Sequence, residues 1–389
     1  MHNEVVVEGI GAAGFDTVTP NVNWKEMMYQ AACRAYEDAG NLNPRHDVGA
    51  FITCAEDYWE GFGIFDEFTP DQMGGVLRPN FTVTADGLHG LGQAYMILKS
   101  GLFDRVVVEA HSKASDMVTY KDILLHAFDP VFHKPLAGDP HWLAGLEMAL
   151  YMQASGATER DCARVVAKNR RLAKRNPMSN FDATTSIDDV LSSEKVADPL
   201  KKLDVAPLAD GCVVFVLARR RVSKQSRDRL VRLTGISWNQ DSPFPESRPD
   251  GTAPGATLAA RAAYKMAGVK WPEKEIDFAE VDDQYSFKEL QHIEALELSQ
   301  PGHALAEAAG GRFDSTGDLP VNPSGGSIGV GNLLEGKGLA HAFEVVTQLR
   351  GEAGRRQVKG AAVGLAHAWR GLPTASHAVA VFHAGGGWK

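Results

Sequence analysis

The chain has 389 residues, of which 44% are hydrophobic, enough to build one large or two ordinary domains with a full core. A net charge of −9 argues against a broad nucleic-acid-binding surface, and no apolar run approaches the length of a membrane span. Neither nucleic acid nor a membrane is therefore expected as a partner. Four scattered cysteines without a Cys-x-x-Cys pair predict no metal site and no disulfide framework, and free thiols fit a cytoplasmic location.

Strand and helix patterns alternate through the first hundred residues. The strands predicted there are 4–11, 48–54, 80–83 and 105–109. Apolar residues at helical spacing predict one helix over 24–40 and a second, largely apolar one from 88 to its stop at Gly101. The small-residue turn that contains Thr84 leads into this second helix. Because a helix N-terminus offers free N–H groups and a positive dipole end, the turn is a place for a nucleophile or a bound oxyanion.

The middle of the chain is less regular. Residues 112–200 are polar, hold two or three predicted helices and indicate an inserted subdomain. A buried strand is predicted over 208–217. Basic runs at 168–175 and 219–229 suit either a solvated surface or an anionic ligand, and the aromatic, acidic stretch 55–79 indicates a site-lining or interface loop.

The second half of the chain repeats the first. An alanine-rich helix at 29–40 has a counterpart at 260–268, and the apolar helix at 90–101 has one at 338–351. Strands follow in the same order, which predicts an internal duplication with alternating β and α units. We therefore expect an N-terminal half, 1–225, that carries the insertion, and a C-terminal half, 226–389.

Three polar stretches lie where such folds place ligands. Residues 280–286 follow a predicted strand at 276–281, and ligands of α/β sheets bind at the carboxyl ends of strands. The Gly-rich stretch 322–332 could present N–H groups to a carbonyl or phosphate oxygen, although such loops are often simple turns. Residues 365–371 are expected to join two strands.

These features together resemble the thiolase superfamily, and within it the sterol-carrier-protein-2-like thiolases. The resemblance covers nearly the whole chain and is carried by the duplicated halves, the strand DGCVVFVLA at 210–218, NPSGG at 322–326, and GLAHA at 338–342. It implies an α/β fold, the thiolase-like five-layer αβαβα sandwich of two duplicated halves, usually dimeric.

The family's catalytic positions are all substituted here. Thr84 stands at the nucleophilic cysteine, Asp282 at the His or Asn of the second motif, Asn332 at the loop histidine, and Trp369 at the second cysteine. A threonine hydroxyl is a poor substitute for a thiolate, so the usual acyl-cysteine mechanism is in doubt.

The resemblance and the polar stretches together define a predicted site. The candidate catalytic residues are Asp282, Tyr285, Asn332, Thr84 and His89, although His89 also fits an ordinary helix histidine. The candidate coenzyme A contacts are Gly325, Gly326, Gly331, Arg170 and Arg171. Further polar candidates for the pocket are Asp86, Asp283, Glu335, Lys337 and His367.

The expected function is formation or cleavage of a C–C bond beside the thioester carbonyl of an acyl-CoA. Coenzyme A would be a substrate, with no permanently bound cofactor. N–H groups of 325–331 with Asn332 would form the oxyanion hole, and Asp282 or Tyr285 would be the acid or base. Retro-aldol cleavage of a 3-hydroxyacyl-CoA is an alternative. Another is a non-catalytic scaffold. The resemblance also implies a homodimer and a small zinc-ribbon/OB-fold partner.

Overall fold

A computed structural model of the chain describes residues 3–56, 67–117, 120–136, 140–179, 184–220, 230–244, 251–372 and 374–385. Parts of the aromatic stretch (57–66) and of the second basic run (221–229) lie outside these described residues. The described strands are β1 (Glu4–Asp16), β2 (Ala50–Cys54), β3 (Asn80–Val83), β4 (Arg105–Lys113), β5 (Lys195–Ala197), β6 (Leu200–Lys201), β7 (Asp210–Arg220), β8 (Val231–Gln240), β9 (Phe278–Glu280), β10 (Val363–Arg370) and β11 (Ser376–Ala384).

The described helices fall between these strands in the alternating order expected of an α/β chain. They are α1 (Trp24–Asp38), α2 (Pro44–Asp47), α3 (Thr69–Met73), α4 (Gly87–Ser100), α5 (Tyr120–Leu125), α6 (Pro140–Ser155), α7 (Glu159–Ala173), α8 (Ile187–Ser192), α9 (Pro254–Ala267), α10 (Pro272–Glu275), α11 (Ser286–Ala295), α12 (Ala304–Ala309), α13 (Gly326–Val330) and α14 (Lys337–Leu349). None of the described helices is long and apolar enough to cross a membrane.

Two half-sheets with the same strand order form the centre of the molecule. The first runs β3-β2-β4-β7-β1 and the second runs β9-β10-β11-β8. In the second, Val321 pairs with Ala279 of β9 at the place that β3 takes beside β2. In each half-sheet one inner pair is parallel and the next two are antiparallel. The half-sheets meet through only two residue pairs between β1 and β8.

Helices complete five layers around these half-sheets. Helix α1 packs on β1 and β7 at one outer face, and α9 packs on β8 and β11 at the other. Helices α4 and α14 contact each other and both half-sheets, so they form the middle layer. Leu88, Leu91 and Leu98 of α4 are fully buried there, each worth about 1.5–3 kcal/mol of burial free energy. The expected αβαβα sandwich with α4 at its centre is confirmed.

Local sequence features predict the bounds of α4, one of the two helices of the middle layer, correctly. Helix α4 begins at its N-cap Asp86, whose Oδ1 accepts a hydrogen bond from the Leu88 N–H. It ends at Gly101 with φ +81°, a left-handed conformation that glycine adopts without steric cost. The duplicated stretches 29–40/260–268 and 90–101/338–351 fall on α1/α9 and α4/α14.

Two expectations about elements were wrong. Residues 365–371 do not form a connector, because 365–370 belong to strand β10, which pairs with β11 along its whole length. The Gly-rich stretch 322–332 is not an open loop, since it contains the short helix α13. The described part of the insertion holds four α-helices, α5 to α8, where two or three were predicted. The domain boundary at 225 remains a prediction, and 221–229 lie outside the described residues.

Candidate active site

A cavity of about 650 Å³ opens at the N-terminal ends of α4 and α14. Most of its wall is apolar and includes Ile123, Leu124 and Ala127 from the insertion together with Leu372. One end is polar. The polar groups there are Asp86, Gln284, Asn332, Glu335 and Lys337. A largely apolar pocket with a few convergent polar groups is the usual form of a small-molecule site.

Asp86 is the buried carboxylate at the polar end. Its Oδ1 accepts from the Leu88 N–H at 2.8 Å, and its Oδ2 accepts from the Gly338 N–H at 3.0 Å, so it links the starts of α4 and α14. Burial raises the pKa of this carboxyl to about 7, against the lowering effect of the two N–H bonds and of Lys337. A carboxyl with a pKa near 7 can both take and return a proton at neutral pH.

Lys337 is the cation of the polar end. Its Nζ donates to Asp282 Oδ2 and to Gln284 Oε1, both at 2.8 Å. The ammonium group has three donors, so one remains for an oxygen in the cavity that Lys337 lines. Asn332 lies in the same wall. Its Oδ1 accepts from the Leu334 N–H, which leaves the Nδ2 amide as a second donor for a ligand.

The N–H groups of the Gly-rich stretch do not form the expected oxyanion hole, because buried acceptors within the protein bind them. The Ser327 and Ile328 N–H groups donate to the Asp283 carboxylate at 2.6 and 3.1 Å. The Gly325, Gly329 and Gly331 N–H groups donate to backbone carbonyls, and that of Gly326 donates to the Ser324 hydroxyl.

The predicted coenzyme A contacts of this stretch, Gly325, Gly326 and Gly331, are buried and do not line the cavity. Backbone conformation and lack of space explain why residue 326 is a glycine. Its φ is +61°, and a Cβ there would lie 2.3 Å from Asp283 Oδ2. The stretch is therefore shaped around a buried carboxylate of the same chain.

Asp282 lies behind the cavity wall instead of in it. Its Oδ2 binds Lys337 and accepts from the Trp369 N–H at 3.0 Å, and its Oδ1 accepts from the Gln284 N–H at 3.1 Å. Burial, the largest single influence, would raise its pKa, but Lys337 together with His341 and His367 outweighs burial, so the pKa is lowered. A permanently ionised carboxylate with both oxygens bound is suited to orient Lys337, and this placement favours that role over the acid–base role expected from the sequence.

Tyr285 is also set back from the cavity. It packs between Phe287 and Trp369, with ring centroids 6.2 Å away in each case, and its hydroxyl lies 3.3 Å from His141 Nδ1. The neighbouring residue Gln284 lines the cavity in its place. Tyr285 was expected as an acid or base from the sequence, and in the structure it does not line the cavity.

Thr84 and His89 lie on either side of Asp86 in the sequence, and of these three residues only Asp86 lines the cavity. Thr84 is exposed in the turn before α4 and does not line the wall, whereas Asp86, two residues later, does. His89 is buried on α4, and burial lowers its pKa to about 4. Its Nδ1 is buried without a hydrogen-bond partner among the described residues. Neither side chain contacts the cavity.

The arginines proposed to bind coenzyme A lie on α7. Arg170 donates to the Thr185 hydroxyl at 3.0 Å, and burial lowers its pKa. Arg171 is exposed and pairs with Asp314. Neither lines the cavity, so their relation to a CoA ligand remains a prediction.

None of the four cysteines lines the cavity either. Cys54 lies under α4 and is fully buried, and burial, aided by the nearby carboxylates of Glu109 and Asp86, raises the pKa of its thiol well above the usual value. Cys162 and Cys212 are buried with raised thiol pKa values for the same primary reason. A thiolate nucleophile is therefore disfavoured at these three sites.

Sequence reasoning missed Tyr120 and Arg370. Tyr120 lines the cavity from α5. Burial raises the pKa of its hydroxyl, and the negative charge of Glu335 raises this pKa further. Arg370 also lines the cavity and pairs with Glu56, and burial lowers its pKa to about 10. Tyr120 stands in a segment without a motif, whereas Arg370 belongs to the stretch 365–371 but was not singled out within it.

Comparisons with known proteins support the same family. Residues 240–384 match the family model described as the thiolase C-terminal domain-like family. The chain is 30% identical over 368 residues to an acetyl-CoA acetyltransferase from Methanothermobacter thermautotrophicus, covering 94% of this chain and 95% of that protein. It is also 31% identical to sterol carrier protein 2 of Oryctolagus cuniculus over 66% of this chain, but spans only 47% of that relative.

Solved structures agree on the fold. The structure described as the Ltp2-ChsH2(DUF35) aldolase aligns with a TM-score of 0.83 at 22% identity, covering 98% of both chains. Human mitochondrial 3-ketoacyl-CoA thiolase aligns with a TM-score of 0.74 at 15% identity, covering 98% of this chain and 99% of the other. At these identities the likeness shows the fold alone. With the near-complete match to the acetyltransferase, the chain belongs to the thiolase superfamily.

Proposed function

We propose that the chain forms or cleaves a C–C bond beside the thioester carbonyl of an acyl-CoA without an acyl-cysteine intermediate. The observation that carries this is the composition of the polar end of the cavity, where Asp86 and Lys337 meet and no thiol is present. The thiolase-type relatives support an acyltransferase reaction on acyl-CoA. Coenzyme A is then a substrate, and no permanently bound cofactor is required.

In the cleavage direction, ionised Asp86 takes the proton of the coenzyme A thiol, and the resulting thiolate attacks the 3-oxo carbonyl of a 3-oxoacyl-CoA. The resulting oxyanion collapses, the Cα–Cβ bond breaks, and its electron pair becomes the enolate of a shorter acyl-CoA. Protonated Asp86 returns a proton to Cα, and condensation is the reverse. The enolate oxygen would be held by the third Lys337 donor and by Asn332 Nδ2, the donors that the protein's own hydrogen bonds leave over.

Retro-aldol cleavage of a 3-hydroxyacyl-CoA is the second candidate. Ionised Asp86 would take the proton of the 3-hydroxyl, and the Cα–Cβ bond would break to give a carbonyl compound and the same enolate. The raised pKa of Asp86 makes its ionised form a stronger base than an ordinary aspartate, which suits removal of such a proton at neutral pH. In addition, a structural neighbour is named as an aldolase. This route consumes no free coenzyme A.

We also propose that the chain assembles as a homodimer with a small partner protein. The edge strand β3 and the exposed Phe81 suit a homodimer, and the name of the aldolase neighbour pairs it with a DUF35 component, which fits a small zinc-ribbon/OB-fold partner here. Such a partner would be obligatory if the chain is a non-catalytic scaffold. Four free cysteines fit a reducing, cytoplasmic location. Arg170 and Arg171 remain candidates for coenzyme A phosphates.

A single assay separates these candidates. The purified chain, with and without the co-purifying partner, is mixed with 3-oxoacyl-CoA plus coenzyme A or with 3-hydroxyacyl-CoA alone, and products are followed by chromatography and mass spectrometry. Thiolysis consumes one coenzyme A per cleavage, and retro-aldol cleavage releases an aldehyde or ketone without it. Peptide mapping should show no acyl group on cysteine. An acylated cysteine would overturn the direct route, and inactivity in every combination would favour the scaffold.

A further inference from the structure

Three histidines form a buried cluster behind the active-site wall that the proposed reaction does not use. His292 lies on α11, His367 on β10 and His377 on β11, and each is at least 97% buried. One ring nitrogen from each lies within 4.8 Å of the other two. His367 and His377 face the same side of the β10–β11 pair, because Trp369, two residues after His367, is the cross-strand partner of His377.

The hydrogen bonds of the cluster leave one nitrogen unexplained. His292 Nδ1 lies 2.9 Å from the Asp282 backbone oxygen, so it carries the proton and donates it there. Its Nε2 is then a lone-pair acceptor, and it is buried without a hydrogen-bond partner among the described residues. His367 Nε2 and His377 Nδ1 lie 3.2 Å apart, which a hydrogen bond between them would also explain. A hydrogen-bonded trio therefore accounts for two histidines but not for the third.

We propose that His292, His367 and His377 bind a divalent cation of the zinc type. Tetrahedral Zn–N bonds of about 2.0–2.1 Å place two ligand nitrogens about 3.3 Å apart, close to the separation of His367 Nε2 and His377 Nδ1. His292 Nε2 would supply the third ligand, and its Nδ1–H bond to a backbone carbonyl is the contact that commonly orients metal-binding imidazoles. Neutral imidazole is the ligand that zinc prefers among nitrogen donors.

Access and charge fit such an ion. His377 borders a small polar cavity of about 40 Å³ that also contacts Asp241, and this cavity has room for a solvent molecule as fourth ligand. The nearest lysines are neutralised, since Lys288 pairs with Glu147 at 2.7 Å and Lys337 with Asp282 at 2.8 Å. When His367 Nε2 binds the metal, the proton of this imidazole lies on Nδ1. The hydrogen bond that Nδ1 accepts from the Asp282 N–H is then lost, and at 3.4 Å that bond is already long.

The ion would fasten α11 to the β10–β11 pair directly behind Asp282, and so would hold the residue that orients Lys337. This role is structural and does not depend on which reaction the cavity performs. Its consequences are therefore measured by metal content, ligand spectrum and thermal stability, without an activity assay.

The test uses untagged full-length protein, dialysed against a chelator and reloaded with Zn²⁺ or Co²⁺. We expect about one metal per chain by elemental analysis, visible Co²⁺ absorption of tetrahedral coordination, and X-ray absorption with three imidazoles near 2.0 Å. Zinc at about one hundred times its Kd should raise the melting temperature by a few degrees. His377→Gln should lower metal affinity at least tenfold. His341→Gln is the matched control, because His341 is equally buried and bonds the His367 carbonyl but lies outside the cluster.

Wild-type protein that takes up no metal, shows no Co²⁺ bands and melts at the same temperature with zinc and with chelator would overturn the proposal. So would metal retained by both His377→Gln and His292→Phe, which would locate it at other histidines. If a variant does not fold, the X-ray absorption spectrum of the wild-type protein decides alone, since a surface-bound ion lacks three imidazole ligands.

Discussion

Asp86 carries two functions whose requirements differ, and a substitution can separate them. It caps α4 and receives the Gly338 N–H, and it presents to the cavity a carboxyl whose pKa is about 7. Asp86→Asn keeps an N-cap acceptor but abolishes proton transfer. We expect kcat to fall by about 10²–10⁴-fold, with a change in unfolding free energy of no more than about 1–2 kcal/mol. Steady-state kinetics and urea denaturation measure the two. An active Asp86→Asn enzyme would remove Asp86 from the mechanism.

The raised pKa of Asp86 also fixes the sign of a pH dependence. An ordinary aspartate has a pKa of about 3.9 in the unfolded chain, whereas here it is about 7 when folded. The folded state therefore binds this proton more tightly, so the stability that Asp86 contributes is present in full below about pH 4. That contribution is lost as the pH rises through about 7.

We therefore expect Asp86→Asn to remove part of the decline in stability between pH 4 and 7, measured by urea denaturation across that range. In the condensation direction, kcat/KM should rise through about pH 7, because ionised Asp86 is the base. Asp283, whose pKa is also raised to about 7, must be considered as a second source of the stability change. Asp283 is enclosed by N–H donors of α13 and does not line the cavity, so it should not affect the rate profile. A stability slope identical in the variant and the wild type would contradict the assignment.

Lys337 and Asp282 act as a pair, and a double substitution can distinguish positioning from stability. Lys337→Gln should cost about 10²–10³-fold in kcat as an oxyanion donor is lost, and should destabilise by about 3–5 kcal/mol because the buried Asp282 charge is left unpaired. Adding Asp282→Asn removes that charge. The double variant should regain most of the stability and none of the activity. Recovery of activity in the double variant would show that Lys337 serves only to neutralise Asp282.

At the scale of elements, helix α7 fastens the insertion to the second half through a buried polar network. Asn169 Nδ2 donates to Asp283 Oδ2 at 2.8 Å and to Glu289 Oε2 at 2.7 Å, and Lys168 pairs with Glu289. Asn169→Leu leaves both carboxylates without this donor. We expect a loss of about 2–5 kcal/mol in unfolding free energy.

Arg171→Ala, two residues further along the same helix, is the matched control for Asn169→Leu. Arg171 is exposed and pairs with Asp314, so its removal should cost no more than about 1 kcal/mol. Urea denaturation compares the two variants, and equal losses would contradict the network argument. If Arg171→Ala also raises the KM for an acyl-CoA, the predicted phosphate contact gains support.

The elements that sequence reasoning placed well are those with a strong local signal. Helix α4 shows apolar residues at helical spacing, a capping aspartate and a glycine stop, and the structure has all three. Strand β10 was missed because LAHAWRG lacks alternation. Its side chains are buried on both faces, so the polar–apolar pattern of a half-exposed strand is absent. Helix α13 was missed because its two glycines, with Gly325 and Gly331 on either side, predict a loop, whereas buried Asp283 fixes its conformation.

At the scale of the whole molecule, the cavity joins residues that are far apart in the chain, from Glu56 to Thr374. The sequence predicted the motifs that reach the site, because the carboxyl ends of strands and helix N-termini are local features. The pocket candidates Asp86, Asn332, Glu335 and Lys337 line the cavity, whereas Thr84 and Tyr285 do not. Gln284, the neighbour of Tyr285, lines it instead, since a shift of one position turns a side chain to another face. The histidine cluster has no spacing signature, because its members come from three elements.

We predict that the chain forms a two-fold dimer through the edge strand β3. Strand β3 lies at the edge of the first half-sheet, and Phe81 on it and Leu77 before it are 37% and 100% exposed. An unpaired, partly apolar edge is prone to pair with another chain, and a two-fold axis would bring the same patch of each copy together. We expect light scattering at micromolar concentration to give twice the chain mass. Phe81→Lys should give a monomer, because two like charges would then face each other across the axis. Leu258→Lys is the control, since Leu258 is 64% exposed on α9 in the other half. A wild-type monomer, or a Phe81→Lys dimer as tight as the wild type, would show that this edge is not the interface.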